Sequence, residues 1–248
     1  LKGKHNIGDL FQAEWSMSLG KATEDRPRER YISWEAGDAP VVIDLADPAA
    51  PGFYDQVGNK KFKIEELSEE FKKTQERNRR FKIDFDVPFV RKGAYKSTFY
   101  FGGKIKGKTK DRDQAFNQIN FTNAGEEQFG KMTDTEIADF GKKNFLAGNF
   151  DIGYFTTYNY LGALDFSDTT YFKINDDQKR YVAGNYSAEE DVSSAYVMFD
   201  QRLGKDVDVK VGVRVEGTKI HYRGFGWDDE SKVASPTNGA DDYVNWLP

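Results

Sequence analysis

The fold turns on Val207 to Thr218, which reads V-D-V-K-V-G-V-R-V-E-G-T. Valine occupies every odd position from Val207 to Val215, and Asp208, Lys210, Gly212, Arg214 and Glu216 occupy the even ones. Side chains alternate faces along a strand, so this segment has one wholly apolar face and one charged face. Valine is stiff at its first side-chain torsion and suits a pleated surface. A soluble antiparallel sheet gives this pattern with one face on a core and the other in water. An outer-membrane barrel gives it with one face in lipid and the other in a wet lumen.

The same alternation recurs elsewhere. Ile7 to Leu19 alternates, with one blemish on each face. Phe81, Ile83, Phe85, Val87 and Phe89 oppose Lys82, Asp84, Asp86 and Pro88. After a tight turn at Arg91 to Tyr95, Phe99, Phe101, Gly103 and Ile105 oppose Tyr100, Gly102, Lys104 and Lys106, a hairpin with a short connection. A strand over about Tyr186 to Leu203 turns at Gly204-Lys205-Asp206 into the valine strand, which runs to about Tyr222. A last strand begins at Asp242.

The intervening segments are expected to be loops. Leu1 to Asn6 reads as a turn, and Arg26-Pro27 breaks the first strand. Tyr31 to Trp34 is long enough only for a brief pairing, and Ala36 to Gly58 is rich in Pro, Gly and Asp. Ile64, Leu67 and Phe71 fall at helical spacing among Glu and Lys, so Ile64 to Asn78 is expected to form an amphipathic surface helix. Thr109 to Arg180 is polar, with a short helix expected near Thr133 to Lys142, and Arg223 to Asp241 is another polar loop. Short and long connections then alternate, which puts all long loops on one side of the sheet. That asymmetry, with strands near the roughly nine to eleven residues needed to cross a bilayer, favours a membrane wall over a sandwich.

Composition excludes several classes. The chain has 248 residues, 20 Phe, 13 Tyr and 31% charged residues, with a mean hydropathy of −0.75. No run approaches the roughly 18 apolar residues of a membrane helix, a test that leaves barrels untouched. Cysteine is absent, which removes disulfides and thiolate metal sites. A net charge of −5 with the signs mixed argues against a nucleic-acid partner. No nucleophile-elbow, phosphate-loop or zinc-protease motif occurs, and neither a metal nor a cofactor is expected.

Tyr186-Ser-Ala-Glu-Glu190, Ala195-Tyr196, Gly212-Val-Arg214-Val-Glu216-Gly-Thr218 and Leu247-Pro248 together resemble the barrel of TonB-dependent outer-membrane receptors, most closely those of Bacteroidetes-like Gram-negative bacteria. Phe101-Gly102-Gly103-Lys104 and Arg26-Pro27 are similar to the same family's mid-barrel. The resemblance implies an antiparallel up-and-down transmembrane β-barrel of 22 strands around a plug. Its role would be energy-coupled uptake of a metal chelate, vitamin or glycan. The implied partners are the receptor's own plug domain, the TonB-ExbB-ExbD system, outer-membrane lipid with lipopolysaccharide, and a surface lipoprotein. About six strands are legible, the last incomplete, and neither a plug nor a TonB-contacting segment is. Both ends look cut, so residues 1–248 are expected to be the central part of a barrel domain whose long extracellular loops carry short helices.

Candidate residues follow. Asp84, Asp86, Asp208, Lys210, Arg214 and Glu216 are expected to face the lumen. The Asp84/Asp86 pair, or the consecutive Glu189, Glu190 and Asp191, could also supply an acid/base couple, which keeps a soluble carbohydrate-binding domain or glycoside-active enzyme as the alternative. Tyr154, Tyr158, Tyr160 and Trp227 are candidates for ligand contact on outer loops, or else form an interfacial girdle. Lys104, Lys106, Lys108, Lys110 and Arg112 alternate along one strand and suit an anionic ligand, lipopolysaccharide phosphate or a plainly solvated face. Asp228, Asp229 and Glu230 lack the spaced oxygens of a calcium loop. One observation separates the two folds: the valine face either packs on a second sheet or lies exposed.

Overall fold

The computed structural model describes residues 1–8, 10–37, 41–42, 45–46, 52–53, 62–92, 95–139, 154–204 and 207–248. It is dominated by very long strands. β1 (Lys2–Ile7) leads through a turn into β2 (Phe11–Glu35), and the short β3 (Val41–Val42) and β4 (Gly52–Phe53) pair with each other. β5 (Lys63–Lys92) and β6 (Tyr95–Phe121) are 30 and 27 residues long. Then come α1 (Asn123–Phe129), a 3-10 turn at Met132–Asp134, β7 (Ile137–Asp139), β8 (Tyr154–Thr156), α2 (Tyr158–Ala163), β9 (Phe172–Asp176) and α3 (Gln178–Tyr181). β10 (Tyr186–Leu203), β11 (Val207–Asp228) and β12 (Val233–Leu247) complete the chain. The main sheet is up-and-down, in the order β1-β2-β5-β6-β10-β11-β12, with β9 added on β6. The all-β, up-and-down expectation is therefore met, with a seventh strand in the path.

Several expected loops are strands. Leu1 to Asn6 is not a turn: β1 pairs with β2 from Lys2↔Ser16 to Ile7↔Phe11. Pro27 does not break β2. Among the described residues β1 pairs with β2 only as far as Ser16, so Pro27 stands past the end of that ladder. The helix expected over Ile64 to Asn78 is part of β5. Leu67, Ser68 and Glu69 are consecutively buried there: Leu67 packs in a hydrophobic core, while Glu69, next but one along the strand, is covered by Arg30. Arg223 to Asp241 is not a loop either, since β11 and β12 pair from Asp228↔Val233 to Arg214↔Leu247 and leave a turn of four residues. The helix expected near Thr133 instead starts at Asn123, where the Thr122 hydroxyl accepts from the Gly125 N–H at 3.1 Å. Of Thr133 to Lys142, the last three residues lie outside the described ones.

Two compact units divide the chain. The first comprises Leu1–Asp25, Lys72–Gln114 and Tyr181–Pro248. It is a wall of paired strands whose register runs unbroken from Arg202↔Lys96 to Tyr186↔Arg112 and from Leu203↔Val207 to Tyr186↔Gly224. Directly paired residues share a face, so Val211, Phe199 and Phe99 lie on one face, while Arg214, Tyr196 and Gly102 lie on the other. A Cβ at Gly102 would meet the Ile83 carbonyl and the Tyr196 ring, so only glycine fits between these strands. Gly204, at φ 78°, supplies the left-handed residue of the turn into β11.

The second unit, Arg26–Phe71 with Ala115–Arg180, holds a conventional core. Leu67, Ile119, Phe166 and Phe172 are buried, with Ile32, Ile64, Phe121, Phe129, Leu161, Leu164 and Tyr171 packed around them. The Phe129 and Phe172 rings stack at 5.4 Å, and Phe166 meets Phe172 edge-on at 5.3 Å.

Candidate functional site

The wall separates its chemistry by face. On the apolar face, Val207, Val209, Val211 and Val213 are 49%, 40%, 64% and 41% exposed. Phe99, Phe101, Ile105, Phe81, Met17, Leu19, Val244 and Trp246 are exposed as well. Phe85 stacks on Phe101 at 4.9 Å and meets Phe11 at 6.3 Å, which extends the face across β2, β5 and β6. No second sheet covers it among the described residues.

This face ends along a line. One step beyond Ile105, Ser193, Gly217 and Val244 come Gly107, Asp191, Lys219 and Asp242, paired across the sheet. On β5 the same step replaces Phe81 with Arg79, whose guanidinium reaches Asp191 at 3.0 Å. From Val207 to Gly217 is about 33 Å of strand at ~3.3 Å per residue. A tilt of about 40° reduces that to about 25 Å, the height of an outer-membrane apolar band.

The opposite face carries the six lumen candidates. Asp84 accepts from the Tyr196 hydroxyl at 2.9 Å and pairs with Lys82 at 2.7 Å. Gln12 donates to Asp86 at 3.3 Å. Arg214 binds Glu216 at 2.6 Å and donates to Ser194 at 3.3 Å, and Lys210 lies 3.3 Å from Asp200. Asp208 receives two bonds from Arg202, at 2.8 and 3.0 Å. Asp84 and Asp86 thus have different hydrogen-bond partners, Tyr196 and Gln12. Tyr196 ties β10 to β5 here, a role hidden in the sequence because only the register brings its hydroxyl to Asp84.

The four aromatic candidates fare differently. Tyr154 and Tyr158 are exposed, in β8 and α2. Tyr160 is half-buried, and burial, followed by the Asp134 carboxylate, raises the pKa of its hydroxyl. Trp227 belongs to the first unit, on β11, and donates to Asp229 at 3.2 Å. The residue that sequence reasoning missed is Arg30. Its side chain is 9% exposed, and it donates to Glu69 and to the carbonyls of Leu161, Gly162 and Leu164. It sits in a stretch read as polar loop, and only the continuation of β2 past Pro27 reveals it.

Among the described residues no group of three or more His, Asp or Glu side chains could hold a metal ion. Asp228 is used by its own hairpin: its carboxylate accepts from the N–H groups of Glu230 and Ser231 at 2.8 and 3.1 Å. The Ser231 N–H, then that of Glu230, hold the Asp228 carboxyl below the usual range. A depressed pKa contributes stability that is complete above the unfolded value and is lost as pH falls through the folded one. The β11–β12 turn is therefore expected to loosen only below about pH 4. Amide exchange at Glu230 and Ser231 followed with pH checks this, and loosening that begins above pH 6 would contradict it.

No protein-family model matches the sequence. No curated protein matches it either. Among solved structures, the chain is similar to the siderophore receptor PiuA from Acinetobacter baumannii, at 12% identity and a TM-score of 0.41, covering 99% of this chain and 28% of that one. It is also similar to the ferric-catecholate import receptor Fiu from E. coli K12, open form, at 9% identity and a TM-score of 0.45, covering 99% of this chain and 31% of that one. The chain spans less than a third of either receptor.

Proposed function

We propose that this chain is part of the wall of an outer-membrane β-barrel of the TonB-dependent receptor type, serving energy-coupled uptake of a nutrient across the outer membrane. The observation that carries this reading is the exposed apolar face from Val207 to Val213, which gives way at one level to Arg79, Asp191, Lys219 and Asp242. In water such a face is an aggregation liability; in lipid it is the surface a barrel presents. The resemblance motifs fall on consecutive strands: Tyr186–Glu190 and Ala195-Tyr196 on β10, Gly212–Thr218 on β11 and Leu247 at the end of β12. Asp84, Asp86, Asp208, Lys210, Arg214 and Glu216 then face a lumen and its plug domain, with the TonB-ExbB-ExbD system acting through that plug. Tyr154, Tyr158 and Tyr160 of the second unit and Trp227 of the first remain the candidates for ligand contact. The transported molecule is a metal chelate, vitamin or glycan.

Lipid depth tests this. Trp246 is 71% exposed and pairs with Val215 on the apolar face, whereas Trp227 pairs with Ala234, eight residues past Lys219 on β11. In bilayers containing brominated lipid, a variant retaining only Trp246 is expected to be strongly quenched and one retaining only Trp227 is not. Equal quenching of the two, or none of Trp246, would sink the membrane reading.

A further inference from the structure

On β6 every residue on the polar face from Lys104 to Arg112 is a cation: Lys104, Lys106, Lys108, Lys110 and Arg112. The unbroken register with β10 fixes their side. Lys104 pairs with Ser194, Lys106 with Val192, Lys108 with Glu190, Lys110 with Ala188 and Arg112 with Tyr186, on the face that also holds Tyr196 and Arg214. Arg80 and Lys82 lie at the same parity on β5 as Asp84, whose carboxylate reaches Tyr196. The five rungs span about 26 Å at ~3.3 Å per residue, with neighbouring rungs about 7 Å apart. They begin level with the apolar band opposite and rise beyond Gly107, where that band has ended.

Counter-charges are few. Glu190 reaches Lys106 at 3.3 Å and Glu76 reaches Lys108 at 3.0 Å, while Asp84 holds Lys82. Arg112 donates to the Gln114 side chain at 3.0 Å, a neutral partner. A chain with a net charge of −5 thus concentrates cations along one strand of one face. Lipid phosphate does not explain them, because the apolar face lies on the other side of β6. Like charges stacked about 7 Å apart along a strand repel one another and add nothing to its stability.

We infer that this column is an anion track: it receives a small solute bearing several carboxylate or phosphate groups and draws it from the outer water along β6. The inference rests on the wall reading, which places this face toward the lumen. Successive rungs would hold neighbouring acidic groups, and Lys104 and Lys110, which form no ion pair with the two bridging glutamates, supply much of the attraction. Such attraction weakens with salt over a Debye length of about 8–10 Å near physiological ionic strength.

The test uses the whole chain inserted in bilayers, titrated at low salt with inorganic tripolyphosphate and, in a second arm, with citrate. At least one of the two is expected to bind, and to weaken steeply with added salt. Each neutralised cation is expected to cost about two- to five-fold in affinity, so Lys104→Gln with Lys110→Gln loses about 4- to 25-fold. Lys219→Gln, on the apolar-face side of β11, is expected to change binding by less than twofold. Tripolyphosphate binding alone marks a phosphate-bearing solute, citrate binding alone a carboxylate-bearing one. The inference is overturned if neither binds, or if Lys219→Gln weakens binding as much as the double variant. It is also overturned if carbodiimide couples Lys104 or Lys110 to a polypeptide carboxylate other than Glu76 or Glu190, since the column would then dock protein. Insertion judged by Trp246 quenching, with no polyanion bound, defeats the track and leaves the wall standing.

Discussion

Arg30→Ala is expected to release Tyr158–Leu164 from the second unit. The Arg30 Nε lies 2.8 Å from Glu69, its Nη1 donates to the carbonyls of Leu161, Gly162 and Leu164 at 2.8, 3.1 and 2.7 Å, and its Cζ sits 4.1 Å above the Phe166 ring. α2 has six residues and no buried side chain of its own. A helix that short does not persist unaided, so its position depends on these carbonyl contacts and on Leu161 and Leu164 at the core. Alanine removes the donor to three carbonyls and leaves the Glu69 side chain, 11% exposed, without its nearest cation. Breaking a buried pair from one side costs about 3–5 kcal/mol. Arg30→Lys should recover only part of this, because a single ammonium cannot reproduce a planar fork that serves a carboxylate and several carbonyls together. Hydrogen exchange over Tyr158–Phe172 is the measurement: protection should collapse in the alanine variant, with β10 and β11 unchanged. Unaltered protection at Leu161 and Leu164 would show that the arginine is dispensable.

Val211→Arg carries the other large effect. Val211 is the most exposed of the valines, at 64%, opposite Phe199. An exposed valine of a water-soluble protein tolerates such a change within about 0.5 kcal/mol. On a lipid-facing strand, arginine near the midplane costs about 2–4 kcal/mol. Unfolding in lipid micelles or bilayers is therefore expected to show a loss several times larger for Val211→Arg than for Lys210→Gln, one residue away on the other face. A loss below about 0.5 kcal/mol at Val211 would place that face in water.

What could be read from the sequence was whatever alternation expresses. β10, β11 and the β5–β6 hairpin were legible because apolar and polar residues take turns through Phe81–Val87, Phe99–Ile105 and Val207–Val215. The same alternation put Asp84, Asp86, Asp208, Lys210, Arg214 and Glu216 together on one face. It failed where a strand is not half-buried. In β5, Leu67, Ser68 and Glu69 are buried in succession, so period two disappears and helical spacing at Ile64, Leu67 and Phe71 takes its place. Beyond the apolar band the strict alternation stops, with Gly20–Arg30 polar on both faces and Arg223–Asp228 interrupted by Gly224 and Gly226, and both segments looked like loops although they are strand. Arg30 was invisible for a related reason: its partners lie 39 and more than 130 residues away, and no local pattern announces them.

The uninterrupted register of β6 against β10 has an evolutionary corollary. Even positions carry the cations and odd positions carry Phe99, Phe101 and Ile105, so substitutions that retune the charge of one face leave the apolar character of the other untouched. Insertions and deletions lack that freedom. A single added residue between Lys96 and Arg112 would exchange the two sets wholesale, turning lysines outward and phenylalanines inward along the rest of the strand. Length variation should therefore be purged from this segment.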